Sequence, residues 1–130
     1  MPYVAEQIEN AGYVSVTLTG DVTMAELIAA REEAASLLAE NDCTRLLVDG
    51  TKIAQMQSIF DDFAFTAQHR SYLPPPIRTA IVIGQAHLDH MKFVENVAQN
   101  RGVNLTLFLE REEALRWLFE HQPDAGRLRS

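Results

Sequence analysis

Cysteine is nearly missing from this chain of 130 residues, with Cys43 standing alone. One thiol cannot close an internal disulfide, so a reducing, cytoplasmic setting is expected. Long apolar runs are missing as well. None approaches the ~20 residues that carry a helix across a bilayer, so no membrane span is expected. The opening MPYVAEQIEN has neither a basic leader nor an apolar core, so no secretory signal is expected there. Positive charge is scarce, 11 Lys and Arg against 18 Asp and Glu, for a formal net charge of −7. Phosphate contacts need a basic face, so no nucleic-acid partner is expected. Anionic lipid headgroups are disfavoured for the same reason. Glycine is sparse, with Gly50 and Gly84 isolated, and no Gly-rich phosphate loop can be built from them.

What is present suits one soluble globular domain over residues 1–130, with 123–130 expected to fray. An apolar fraction of 47% and a charged fraction of 22% are ordinary for such a domain. YVAEQIE, a turn at Asn10-Ala11-Gly12 and YVSVTLTG read as a hairpin. In its second arm Val14, Val16 and Leu18 alternate with Ser15, Thr17 and Thr19. TMAELIAAREEAASLLAEND reads as a helix opened by a Thr23/Glu26 capping box. Met24, Leu27, Ile28, Ala34, Ala35 and Leu38 mark its inner stripe, and Arg31, Glu32 and Glu33 are expected outside.

RLLVDG and RTAIVIG are short and apolar without alternation, as in strands covered on both faces. Between them a helix over Ser58–Tyr72 is stopped by Pro74-Pro75-Pro76. QAHLDHMKFVENVAQNRG reads as a further helix with Leu88, Met91, Val94, Val97 and Ala98 inward and Gly102 closing it. VNLTLFL and EREEALRWLFEHQ give the last strand and helix. The expectation is an α/β fold, a mixed, mostly parallel five-stranded sheet with four helices and right-handed crossovers.

In open α/β sheets ligands collect where strands end and helices begin. That edge gathers Gly20, Asp21 and Thr23, then Asp49 to Ser58, then Gly84, Gln85 and His87, then Glu110. Asp49 to Ser58 reads as a strand-to-helix connection. Ser58 opens a helix, where a phosphate would be favoured by the helix dipole, but where capping is the commoner use of a serine. Ser58, His87 and Asp49 do not make a hydrolase triad, because MQS lacks the glycines of a nucleophile elbow. No catalytic residue is assigned. His87 and His90, three apart with Asp89 beside them, could share a metal with His69 or Glu110. No second ligand cluster accompanies them, so no metal and no cofactor is expected. Cys43, ahead of a strand, reads as a small core filler.

The Ser58–Tyr72 helix has a surplus of aromatics. Phe60, Phe63, Ala64 and Ala67 form one stripe, and Phe65, His69 and Tyr72 a second that the first cannot cover. Both stripes are buried if the helix is sandwiched. Otherwise the second docks another copy, a partner helix or an apolar ligand.

Nearly the whole chain resembles the SpoIIAA-like group of the STAS superfamily (sulfate transporter and anti-sigma factor antagonist domains). The resemblance rests on the order of elements, on GDVTMAEL, LLVDGTKI and RTAIVIG, and above all on LFLEREEALRWL. It implies a mixed sheet with helices mainly on one side and no intrinsic catalysis. In the antagonists a kinase phosphorylates a serine that opens the second helix, within an Asp-Ser-Ser-Gly-like stretch. The matching stretch here is Gln57-Ser58-Ile59-Phe60, with Gln57 in place of the acid and Ile59-Phe60 in place of the small residues.

The function expected is a non-enzymatic, cytoplasmic protein-interaction or regulatory module, homodimeric through the Ser58–Tyr72 helix and the preceding loop. Asp49, Thr51, Phe60, Phe63, Phe65, His69, Tyr72 and His87 are the expected partner or ligand surface. The alternatives are a carrier of an apolar small molecule or lipid, as the kinship with CRAL-TRIO domains would imply, and a switch by phosphorylation at Ser58.

Overall fold

A computed structural model describes residues 3–8, 12–21, 23–55 and 77–120. Over these the chain forms β1 (Tyr3–Ile8), β2 (Tyr13–Asp21), α1 (Met24–Glu40), β3 (Arg45–Gln55) and β4 (Arg78–Ile83). A short 3-10 turn (Gln85–His87) then leads into α2 (Leu88–Asn100), β5 (Asn104–Phe108) and α3 (Arg111–Glu120). The five strands lie in the order β1-β2-β3-β4-β5. β1 pairs antiparallel with β2, and the remaining pairs are parallel. The expected class and strand count hold. The helix expected over Ser58–Tyr72 and the tail 123–130 lie outside the described residues.

Period-two alternation sends side chains to opposite faces of the sheet. On one face Val14, Val16, Leu18 and Leu46 pack with Ala30, Ala34 and Leu38 of α1. Ile81, Ile83 and Leu105 pack on the same face with Met91, Val94 and Ala98 of α2. On the other face Tyr13, Leu47, Ala80 and Val82 meet Ala114 and Leu118 of α3. β3 and β4 therefore serve both cores, which is why their sequences show no polar alternation.

The helix ends are built locally. Thr23 Oγ1 accepts from the Glu26 amide at 3.2 Å, and Glu26 Oε1 accepts from the Thr23 amide at 2.8 Å, completing the expected capping box. α2 closes in a Schellman turn. Val103 N–H bonds Ala98 O at 2.9 Å and Gly102 N–H bonds Gln99 O at 3.1 Å, with Gly102 at φ +84°. α1 closes the same way, with Cys43 N–H on Leu38 O at 2.9 Å, but its left-handed residue is Asp42 at φ +51°. Cys43 packs against the α1 core, as expected for a filler.

Arg31 corrects the reading of α1. It is 5% exposed rather than outside. Positions 27, 31, 34 and 38 share one face of a 3.6-residue helix, so Arg31 falls on the inner stripe and buries its stem there.

The last turn of α3 is held by two arginines that sit opposite each other on β3 and β4. The Arg45 guanidinium stacks 4.4 Å from the Phe119 ring and donates to Leu118 O at 3.2 Å. Arg78 stacks 4.5 Å from Trp117, which also leans on Phe108. Burial, and then the neighbouring Arg45 charge, lower the Arg78 pKa, yet a guanidinium stays charged at any ordinary pH. The tryptophan of the ALRWL segment is thus the lid over one of these cations.

Thr23→Ala removes one bond of the capping box and leaves the packing intact. Denaturant unfolding should show a loss of about 1 kcal/mol with an unchanged m-value.

Candidate functional site

β3 outruns its neighbour. Its pairing with β4 ends at Gly50↔Ile83, while pairing with β2 continues through Thr19↔Lys52, Gly20↔Ile53 and Asp21↔Gln55. Between Thr17↔Asp49 and Thr19↔Lys52 the register slips, so β3 carries an extra residue there, a β-bulge. Residues 49–55 are therefore strand, where a connecting loop was expected. Asp, Gly, Thr and Lys in succession resemble a turn, but the ladder to β2 absorbs them as a bulge. Gly50 sits at the break, where a Cβ would meet Ile53 Cδ1 at 3.0 Å and Val82 O at 3.4 Å.

Asp49 anchors this extension. Its Oδ1 accepts the Thr51 amide at 3.0 Å and the Thr51 hydroxyl at 2.7 Å. Its Oδ2 lies 3.5 Å from Arg111 Nη1 at the start of α3. Arg111 Nη2 in turn donates to Tyr13 Oη at 3.3 Å. The cluster joins β2, β3 and α3 through one carboxylate. The Arg111 and Asp49 side chains are 44% and 22% exposed, so the ion pair is worth less than about 1 kcal/mol.

His87 closes the other side. Its Nε2 lies 3.3 Å from Ile53 O, a carbonyl beyond the end of β4. A carbonyl only accepts, so the contact is a hydrogen bond in the tautomer that protonates Nε2. His87 precedes α2 as its N-cap, with no capping bond from its side chain, rather than sitting in the helix beside His90. Among the described residues no three His, Cys, Asp or Glu side chains gather as a metal site would require.

Of the surface residues expected from sequence, Asp49 and Thr51 bond to each other, and His87 takes the far side of the same β3 extension. Asp49 bonds Thr51 and Arg111, while the His87 ring meets the Ile53 carbonyl. Ser58, Phe60, Phe63, Phe65, His69 and Tyr72 lie outside the described residues. Arg111 and Tyr13 were missed. Arg111 offered a clue, since a cation opening a helix opposes the helix dipole and calls for a local anion. Beside this edge Leu109 is exposed at 41%.

A mixed five-stranded sheet with helices on both faces and a polar edge where its parallel strands end defines an α/β module of the STAS type. The chain belongs to the SpoIIAA-like family, whose model matches residues 13–119. Two solved structures share the fold. An anti-sigma factor antagonist from Mycobacterium paratuberculosis aligns over 89% of this chain and 92% of its own, at 14% identity and a TM-score of 0.63. An uncharacterized protein of the DUF3478 family with a SpoIIAA-like fold, from Shewanella loihica PV-4, aligns over 89% and 91%, at 20% identity and a TM-score of 0.56. No curated protein matches the sequence. No helix among the described residues is long and apolar enough to cross a membrane.

A double-mutant cycle on Asp49→Ala and Arg111→Ala should return a coupling below about 1 kcal/mol that fades in molar salt. Asp49→Ala alone should cost more, about 1–2 kcal/mol, because the Thr51 amide also loses its acceptor.

Proposed function

We propose that this chain is a single-domain, non-enzymatic, cytoplasmic regulatory module. It works by docking protein, first of all a second copy of itself, at the sheet edge where β3 overshoots β4. The observation that carries this reading is the way the edge uses its polar groups. Asp49, Thr51, Arg111, Tyr13 and His87 bond to one another or to backbone and brace the β3 extension. None is left as an activated nucleophile beside a base, which acyl or phosphoryl transfer would require. Bracing of this kind suits a surface that must keep its shape when a partner seats on it.

Membership in the SpoIIAA-like family supports the reading, as does a fold neighbour described as an anti-sigma factor antagonist. Ser58 and the aromatics of the Ser58–Tyr72 segment extend the proposed surface, with Ser58 as a helix cap.

Light scattering on a size-exclusion column should give twice the 14.6 kDa chain mass. Lys52→Glu, on the exposed part of the β3 extension, should weaken association roughly tenfold. Ser58→Asp should leave it unchanged. A strict monomer at high concentration contradicts self-docking, and loss of the dimer in Ser58→Asp alone would instead favour a phosphorylation switch.

A further inference from the structure

Among the described residues β5 ends the sheet, and an edge strand presents a row of backbone groups that can template another strand. Its sequence is of the hazardous kind. Val103 to Leu109, VNLTLFL, holds no charge and no proline, and such segments self-pair readily. The strand carries none of the lysines, prolines or bulges that usually blunt an edge.

Two side chains of α2, one helical turn apart, meet that edge. Glu95 Oε2 accepts the Leu107 amide at 2.9 Å, and Gln99 Nε2 donates to Leu105 O at 2.9 Å. Leu105 and Leu107 are two apart, so these groups point to one side of the strand, away from β4. They flank Thr106. In a parallel ladder one residue of an added strand would donate to the carbonyl before its opposite number and accept from the amide after it. The Gln99 amide and the Glu95 carboxylate occupy those two roles.

We propose that Glu95 and Gln99 form a side-chain plug that imitates one residue of a sixth strand and bars a second copy of this chain from adding at the β5 edge. The plug is independent of the docking edge at β3. It lies on the last strand, and it keeps association from running on through the sheet. A carboxylate acceptor suits it, because a charge-assisted bond outcompetes an incoming neutral carbonyl.

The test compares the parent with Glu95→Ala/Gln99→Ala and Glu95→Gln, using light scattering from micromolar to near-millimolar protein and amide hydrogen exchange. In the double variant the Leu107 amide should exchange at least roughly tenfold faster in dilute solution. Its mass should climb with concentration above whatever mass the parent shows. Glu95→Gln keeps an acceptor but loses its charge, and should fall between the parent and the double variant. A folded double variant whose mass tracks the parent's at every concentration overturns the proposal, as does an unprotected Leu107 amide in the parent. Loss of the fold in the double variant also counts against it, since the pair would then be structural support rather than a guard.

Discussion

The length and double coverage of β3 govern the rest of this molecule. Its alternate residues feed two cores, Leu46 toward α1 and Leu47 toward α3. A strand buried on both faces must be apolar for as long as both layers last. Where β4 stops, at Ile83, that demand ends, and the chain changes character within two residues: Val48 still packs inward, and Asp49 and Gly50 follow. Gly50 is small because Ile53 and the Val82 carbonyl close in on it. Asp49 is acidic because the amide and hydroxyl of Thr51 and the Arg111 guanidinium converge there. The polar edge is thus the place where the two-layer packing runs out, kept in shape by bonds among its own groups.

Packing and edge control divide the work among the helices. α1 and α2 cover one face and α3 the other, and α3 is clamped at both ends: Arg111 ties its start to Asp49, and Arg45 and Arg78 stack under the aromatics of its last turn. α2 has a second duty. Its outer positions reach past the core to bond the backbone of β5, so one helix supplies both a hydrophobic stripe and a boundary for the sheet.

Much of this was legible in the sequence where the signal is local. The Thr23/Glu26 box, the Gly102 closure and the two doubly buried strands are each written in a short run of consecutive residues, and the hairpin in two adjacent segments, Tyr3–Ile8 and Tyr13–Asp21. Their physics acts over the same range. What failed to show is long-range. The Arg111–Tyr13 bond joins residues 98 apart in sequence, and nothing local to either names the other. The continuation of β3 was hidden because Asp-Gly-Thr-Lys has turn composition, and only pairing with β2 turns it into a bulge. Arg31 was misplaced because charge was given more weight than its position on the helical wheel.

The docking edge is a fixed surface only as long as β3 is one rigid strand through the bulge. Backbone 15N relaxation of Thr51, Lys52 and Ile53 measures this directly. Order parameters near those of Leu46 to Val48, around 0.85, are predicted. Values below about 0.6 at these three residues, with the rest of β3 rigid, would make the extension a mobile loop and contradict a fixed docking edge.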